Sequence, residues 1–546
     1  MAGHFHNDAT LLIQNDCSAD LESFKLWINT CRKTHSECKA DLSSSHKKRD
    51  SDTGMLVIDC RTRTIRAARK HEPYICLSYV WGAHPMNGST TCGARLLHNV
   101  PKTIEDAMFV ASKLGIPQLW VDQYCINQHN LAEKTRTIND MDTIYGNAEL
   151  TIIAASGRNA HSGLSGIRGT SRISQRYIQI GANRHLAFRD STELIKRSLW
   201  MSRGWTFQEG LLSRRRLVFT EAQLYFQCND EYRLEGLPHR FYSEGSRYED
   251  ETRVFPHRGI GFQPHHVYDR LIEYLSRNLS YGSDSLNAFL GILNAFNTEL
   301  RGGNYPSANH LYGIPMCHKP GYDDDSRVIR QFLSGLSWRF EKPAMTQDES
   351  NVGQDSIDVP SWTWAAYKAR HSNVACRLVQ SHSYGTMMYD SRGVGVSITN
   401  KQTNRTGFLS TQLQGAEYTD FFPWFDLDTW VLDGSISQKT SLAGHQQSLF
   451  FGREAHLDEP QSADGWKVSA LYLGIKDPNP KPCRINFLLV CQDELENDTF
   501  RRIGVWCIEV SYWNLRDRAT QSILQESLDE IGCTTERFEK RTVRVV

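Results

Sequence analysis

The 546-residue chain lacks most of the features that identify a function at a glance. Its 62 Lys and Arg balance 62 Asp and Glu, so no net field draws it to nucleic acid or to an anionic membrane. No apolar run approaches the roughly 20 residues of a membrane-spanning helix. The opening MAGHFHNDATLLIQND has neither the basic stretch nor the apolar core of a secretion signal. A soluble, cytoplasmic protein without nucleic-acid partners is expected. There is no GxxxxGK[ST], GxGxxG or HExxH, so nucleoside triphosphate hydrolysis and metalloprotease chemistry are without their motifs. Cysteine is sparse too: 14 residues without dense regular spacing suit reduced thiols better than a disulfide framework.

What is present is material for several cores. With 40% hydrophobic and 23% charged residues the composition is globular, and the length calls for two to four domains. Residues 1–52 hold one short helix and a polar linker, ADLSSSHKKRDSDTG, in which His46 to Arg49 read as a solvated loop. From residue 53 to 230 short apolar runs alternate with amphipathic stretches. YICLSYV (74–80), LWV (119–121) and LTIIAAS (150–156) read as strands. Between them, Thr103 with Asp106 and Asn130 with Glu133 have capping-box spacing and predict two helices, stopped by Gly115 and Gly146. Strand, helix, strand, helix, strand with short connections predicts an α/β domain with an open parallel sheet. A mainly helical region (231–345) and a β-rich region (346–546) follow, the latter opening on Trp362 and Trp364, which read as core tryptophans or as an interdomain anchor.

Ligands of such a sheet bind beyond the carboxyl ends of its strands. That rule selects Ser78, Tyr79, Trp81 and Gly82, then Asp122 and Gln123, then Ser156 and Gly157, as residues that should converge on one crevice. Glu209 is the first acid to consider. It follows Arg203, Gly204 and Trp205 on a short helix, where an indole strips hydration from a carboxylate and an arginine restores its charge. The same residue reads equally as an ion-pair partner of Arg203 or Arg214. Cys125 stands near His129, but its apolar surroundings argue against a reactive thiolate.

One further group stands apart. In FKLWINTCRKTHSEC, the spacing of Cys31, His35 and Cys38 puts three soft ligands on one face of a predicted helix. A fourth ligand and a paired CxxC are missing, and Cys60 or Cys17 would have to fold back to complete a tetrahedron, so no metal is assigned.

The blocks YICLSYVWG (74–82), LWVDQYCINQ (119–128), MDTIYGNAELTIIAASG (141–157), Gly163-Leu164 and RGWTFQEGLLSRRRLVF (203–219), closed by FQC (226–228), resemble the heterokaryon incompatibility (HET) domain in sequence and order. Val80, Gln123, Tyr124, His129 and Asn130 depart from the usual pattern and leave ligand preference open. The resemblance implies a fungal protein of self/non-self recognition that triggers cell death. It implies self-association through the HET domain and an unknown protein trigger. HET domains are distantly similar to TIR domains, and RGWTFQE resembles the helix start that carries the catalytic glutamate of NAD-cleaving members. On that comparison the fold is TIR/flavodoxin-like, Glu209 is the catalytic counterpart and NAD is a candidate substrate without any bound cofactor. Ser78, Tyr79, Trp81, Gly82, Asp122, Arg203 and Trp205 are the expected substrate contacts. Two other roles compatible with the resemblance are a non-enzymatic signalling module and a HET fold recruited to another pathway, such as a metabolite cluster.

Overall fold

A computed structural model describes residues 18–39, 55–82, 93–96, 100–127, 130–173, 176–181, 183–187, 190–235, 253–257, 259–261, 263–297, 307–318, 325–340, 359–377, 388–413, 416–435, 455–458, 467–476, 483–492, 499–510, 519–530 and 537–546. The expected polar linker with His46 to Arg49, together with Cys17 and His129, lies outside these residues. The chain forms two compact units, one of residues Met1–Phe262 with Asn287–Ala295, the other of Gln263–Leu286 with Phe296–Val546.

In the first unit, an eight-stranded sheet is assembled from β1 (Leu56–Asp59), β2 (Thr64–Ala67), β3 (Ile75–Ser78), β4 (Gln118–Trp120), β5 (Leu150–Ala154), β8 (Arg215–Phe219), β9 (Leu224–Cys228) and β10 (Tyr232–Leu234). The strands β6 (Arg176–Ile180) and β7 (Asn183–Ala187) form a separate hairpin. Sheet order is β10-β9-β8-β5-β3-β4-β1-β2. The expected parallel sheet is present only in the middle, where β4, β3, β5 and β8 run parallel. Both edges are antiparallel, β1 and β2 on one side and β9 and β10 on the other. The central strands are apolar throughout: every residue of β3 and β5 is buried, as a strand covered on both faces requires.

Helix α1 (Leu21–Thr34) precedes the sheet and docks Phe24 and Trp27 against Phe226 of β9. Helix α2 (Lys102–Lys113) buries Ile104, Ala107, Met108 and Ala111, and Gly115, with φ +77°, ends it. Its expected capping box is absent. Pro101 precedes the first turn, and Thr103 and Asp106 are buried and turned to another loop, accepting from the backbone N–H groups of Gly163 and Leu164 at 3.0 and 2.9 Å. A tertiary contact has taken over residues whose spacing equally suits a local cap. Gly163 makes this contact feasible: it has φ +77°, and a Cβ there would stand 2.6 Å from Thr170 Oγ1 and 2.9 Å from Asp106 Oδ2. Gly163→Ala is therefore expected to destabilise the unit by about 2 kcal/mol or more, measured as a lower denaturation midpoint.

A single helical turn, α3 (Asp122–Cys125), follows β4. The next helix is capped by Asn130 as expected, its side chain accepting from Glu133 N, but it is divided at Asp140 into α4 (Leu131–Asn139) and α5 (Met141–Asn147). After α6 (Ser191–Lys196) comes α7 (Gly204–Leu212), which carries Glu209. The helix Asn287–Ala295 lies close on α7, with Gly291 N donating to Gln208 Oε1 at 3.1 Å.

The second unit is β-rich as expected. Strands Phe421–Ser435, Lys467–Lys476, Cys483–Gln492, Thr499–Val510 and Glu539–Val545 pair in a closed ring, since the first pairs with both the second and the last. Closure removes free edges among these five strands. Trp362 and Trp364 are core residues of this unit. Both are buried, and their indole N–H groups donate to the carbonyls of Pro423 and Gly313. Among the described residues no helix is long and apolar enough to cross a membrane.

Candidate functional site

The site forms where the parallel strands end. Ser78 is the last residue of β3, Asp122 follows β4 and opens α3, and Glu209 faces them from α7. Ser78 Oγ lies 2.5 Å from Glu209 Oε2, and Trp200 Nε1 donates to Ser78 Oγ at 2.7 Å. An indole N–H can only donate, so the Ser78 proton is directed to Glu209. That bond to Oε2 favours the ionised carboxylate.

Asp122 also accepts hydrogen bonds. Trp81 Nε1 donates to Oδ2 at 2.9 Å and Gln123 N donates to Oδ1 at 2.7 Å, both favouring the ionised form. Tyr79 is linked to the same turn through Gln123, its hydroxyl donating to Oε1 at 2.8 Å. Burial nevertheless pushes Asp122 up to about 7, against the pull of those two hydrogen bonds and of the Arg203 charge. Glu209 is pushed up to about 8, first by burial and then by the negative charge of Asp122, while Ser78, Arg203 and Tyr145 pull it down. The Tyr145 hydroxyl is close enough to act on Glu209 yet makes no well-formed hydrogen bond. Two acids raised together titrate as a pair across neutral pH. With its two donors Asp122 is the member that ionises first, and Glu209 keeps a proton into the slightly alkaline range.

The remaining expected residues have distinct places. Arg203, the residue before α7, acts on both carboxyls through its charge. Gly82 is exposed with φ +91°, and a Cβ there would come within 2.8 Å of Asn159 Cβ, so it serves the turn after Trp81. Trp205 is half-buried against the core of the unit. Ser156 bonds Ser165 at 2.8 Å, tying the end of β5 to its following loop. Arg214 donates to the carbonyls of Cys38, Asn147 and Ala148. Cys125 is buried and its thiol is pushed up to about 12 by burial, which removes it as a nucleophile near neutral pH. Sequence reasoning missed Trp200, which orients Ser78, and Tyr145, which acts on Glu209; neither stands at a strand end.

The fold and these groups define an α/β domain with an acid pair, Glu209 buried and Asp122 half-buried, at the carboxyl ends of its parallel strands. Residues 74–209 match the family model of the heterokaryon incompatibility protein (HET), and the chain carries a domain of that family. The match begins next to β3 and ends on Glu209, and so encloses the acid pair. Neither the curated proteins nor the solved structures contain a significant match.

Proposed function

We propose that the chain is a heterokaryon-incompatibility-type protein of self/non-self recognition that triggers cell death, and that its HET domain does so by cleaving the nicotinamide–ribose bond of NAD. The observation that carries this reading is the placing of Asp122 and Glu209 at the strand ends of the HET domain, the one bonded to Trp81 and the other to Ser78, where burial raises both. The four parallel strands, numbered among themselves, stand in the order 2-1-3-4, as in flavodoxin-like sheets, whose ligands bind where that order reverses. Ser78 ends the first of these strands.

The reaction consumes water and yields ADP-ribose, nicotinamide and a proton. Its transition state places positive charge on the ribose, which a nearby carboxylate stabilises. The cationic nicotinamide ring favours ionisation of Glu209 on binding, and a carboxylate of raised pKa then accepts the proton of the attacking water efficiently. Arg203 offsets the second negative charge, and Trp81 offers an aromatic face to a ring of the substrate.

A non-enzymatic signalling role is favoured by one fact: Glu209 is only 5% exposed and its bond to Ser78 ties α7 to β3. Inducible expression in a fungal host separates the two. The wild type is expected to kill and to deplete cellular NAD, and Glu209→Gln to lose both by about two orders of magnitude in rate, the effect of removing about 3 kcal/mol of charge stabilisation. Killing by Glu209→Gln at the wild-type rate with NAD intact would reject the enzymatic reading in favour of signalling.

A further inference from the structure

Four soft ligand atoms meet where α1 reaches the edge of the sheet. The sulfurs of Cys31, Cys38 and Cys228 and a ring nitrogen of His35 all lie within 4.8 Å of one another. In a tetrahedral zinc site with Zn–S near 2.3 Å and Zn–N near 2.0 Å, ligand atoms stand roughly 3.5–3.8 Å apart, so small adjustments suffice to close the shell.

The arrangement differs from the single helical face expected of Cys31, His35 and Cys38. Helix α1 ends at Thr34, His35 is extended (φ −95°, ψ 111°), and the short 3-10 turn Ser36–Cys38 brings Cys38 back towards Cys31. Among the described residues the fourth member of the group is not Cys60 but Cys228, the last residue of β9.

The surroundings are those of a ligand set. His35 Nδ1 is 3.3 Å from Cys228 Sγ, while its Nε2 faces Glu231 Oε1 at 3.7 Å. A carboxylate on the far nitrogen is the contact that orients a metal-binding imidazole. Glu231 N donates to Cys228 Sγ at 3.3 Å, and Arg215 Nε to Cys31 Sγ at 3.1 Å. Arg215 also reaches Cys38 O and Glu149, which fixes its guanidinium beside the sulfurs. All three cysteines are buried and unoxidised, and one disulfide among them would strand the third.

We propose that Cys31, His35, Cys38 and Cys228 bind one zinc ion. Four protein ligands leave no open position, so the ion is structural and clamps α1 onto β9. All four lie outside the HET match at 74–209, which places the clamp in the flanks of that domain.

The test uses the full chain purified under reducing conditions without added metal. Elemental analysis is expected to find about one zinc per chain, and replacement by cobalt(II) to give the visible bands of a tetrahedral site with sulfur-to-cobalt charge transfer. Cys31→Ser and Cys228→Ser should lower retained zinc roughly tenfold or more, whereas Cys60→Ser and Cys125→Ser should leave it unchanged. If the ligand variants fail to fold, the wild-type zinc content and cobalt spectrum decide by themselves. A folded wild type that holds no zinc and gives no tetrahedral cobalt spectrum would overturn the proposal, as would a disulfide between any two of the three cysteines.

Discussion

At about pH 8.5, Glu209→Gln is expected to be more stable than the wild type, although the substitution is in the core. An acid whose folded pKa lies above its unfolded value contributes stability that is fully present below the unfolded pKa and is lost as pH rises through the folded one. For Glu209 that window runs from the ordinary 4.5 to about 8, and for Asp122 from 3.8 to about 7. Both slopes have the same sign, so the contribution of this pair to the stability of the unit falls from acid to mildly alkaline pH. Glutamine keeps the shape and can still accept from Ser78, but cannot ionise. The variant should therefore match the wild type near pH 4 and exceed it by a few kcal/mol above pH 8, since each pH unit between the ordinary and the raised pKa is worth about 1.4 kcal/mol. Thermal denaturation across that range checks the difference, which amounts to roughly 5–10 °C. Loss of stability at every pH would mean that Glu209 is an ionised structural partner, the other role its sequence context allows. A site that opposes its own folding is the usual mark of function placed ahead of stability.

The second large effect is expected in the β-rich unit, at Arg502. Its side chain is fully buried, pairs with Asp458 at 3.1 Å, donates to the carbonyls of Leu336 and Trp338, and lies 3.3 Å over the Trp338 ring. Arg502→Ala strands a buried carboxylate and two carbonyls together, at a cost of roughly 3–5 kcal/mol. Arg502→Lys should recover only part, because an ammonium cannot span the same three acceptors or stack on the indole. The exposed pair Arg544–Asp426 provides the contrast, and Arg544→Ala should cost less than about 1 kcal/mol. Urea unfolding followed by tryptophan fluorescence compares them; equal, small losses would show that Arg502 is not a keystone of this unit.

The parts of the structure that were legible in the sequence are those specified locally. β3 and β5 are continuous apolar runs, and the strand-end rule led to Ser78 and Asp122 without any knowledge of their partners. The antiparallel edge was less visible: β1 and β2 are four residues each and mix apolar with charged residues, as half-covered edge strands do. Thr103 and Asp106 misled because the same residue types satisfy a helix end or a distant loop. Trp200 could not be assigned to Ser78 across 122 residues, nor Cys228 to His35 across 193, since such pairings depend on how the sheet is ordered.

NAD cleavage at the acid pair is tested most directly by nicotinamide release from NAD by the purified full chain, with wild type and Glu209→Gln compared under dilute and self-associating conditions. Stoichiometric ADP-ribose and nicotinamide are expected from the wild type, and at least about a hundredfold slower release from the variant. Equal inertness of both proteins under both conditions would contradict the proposed activity.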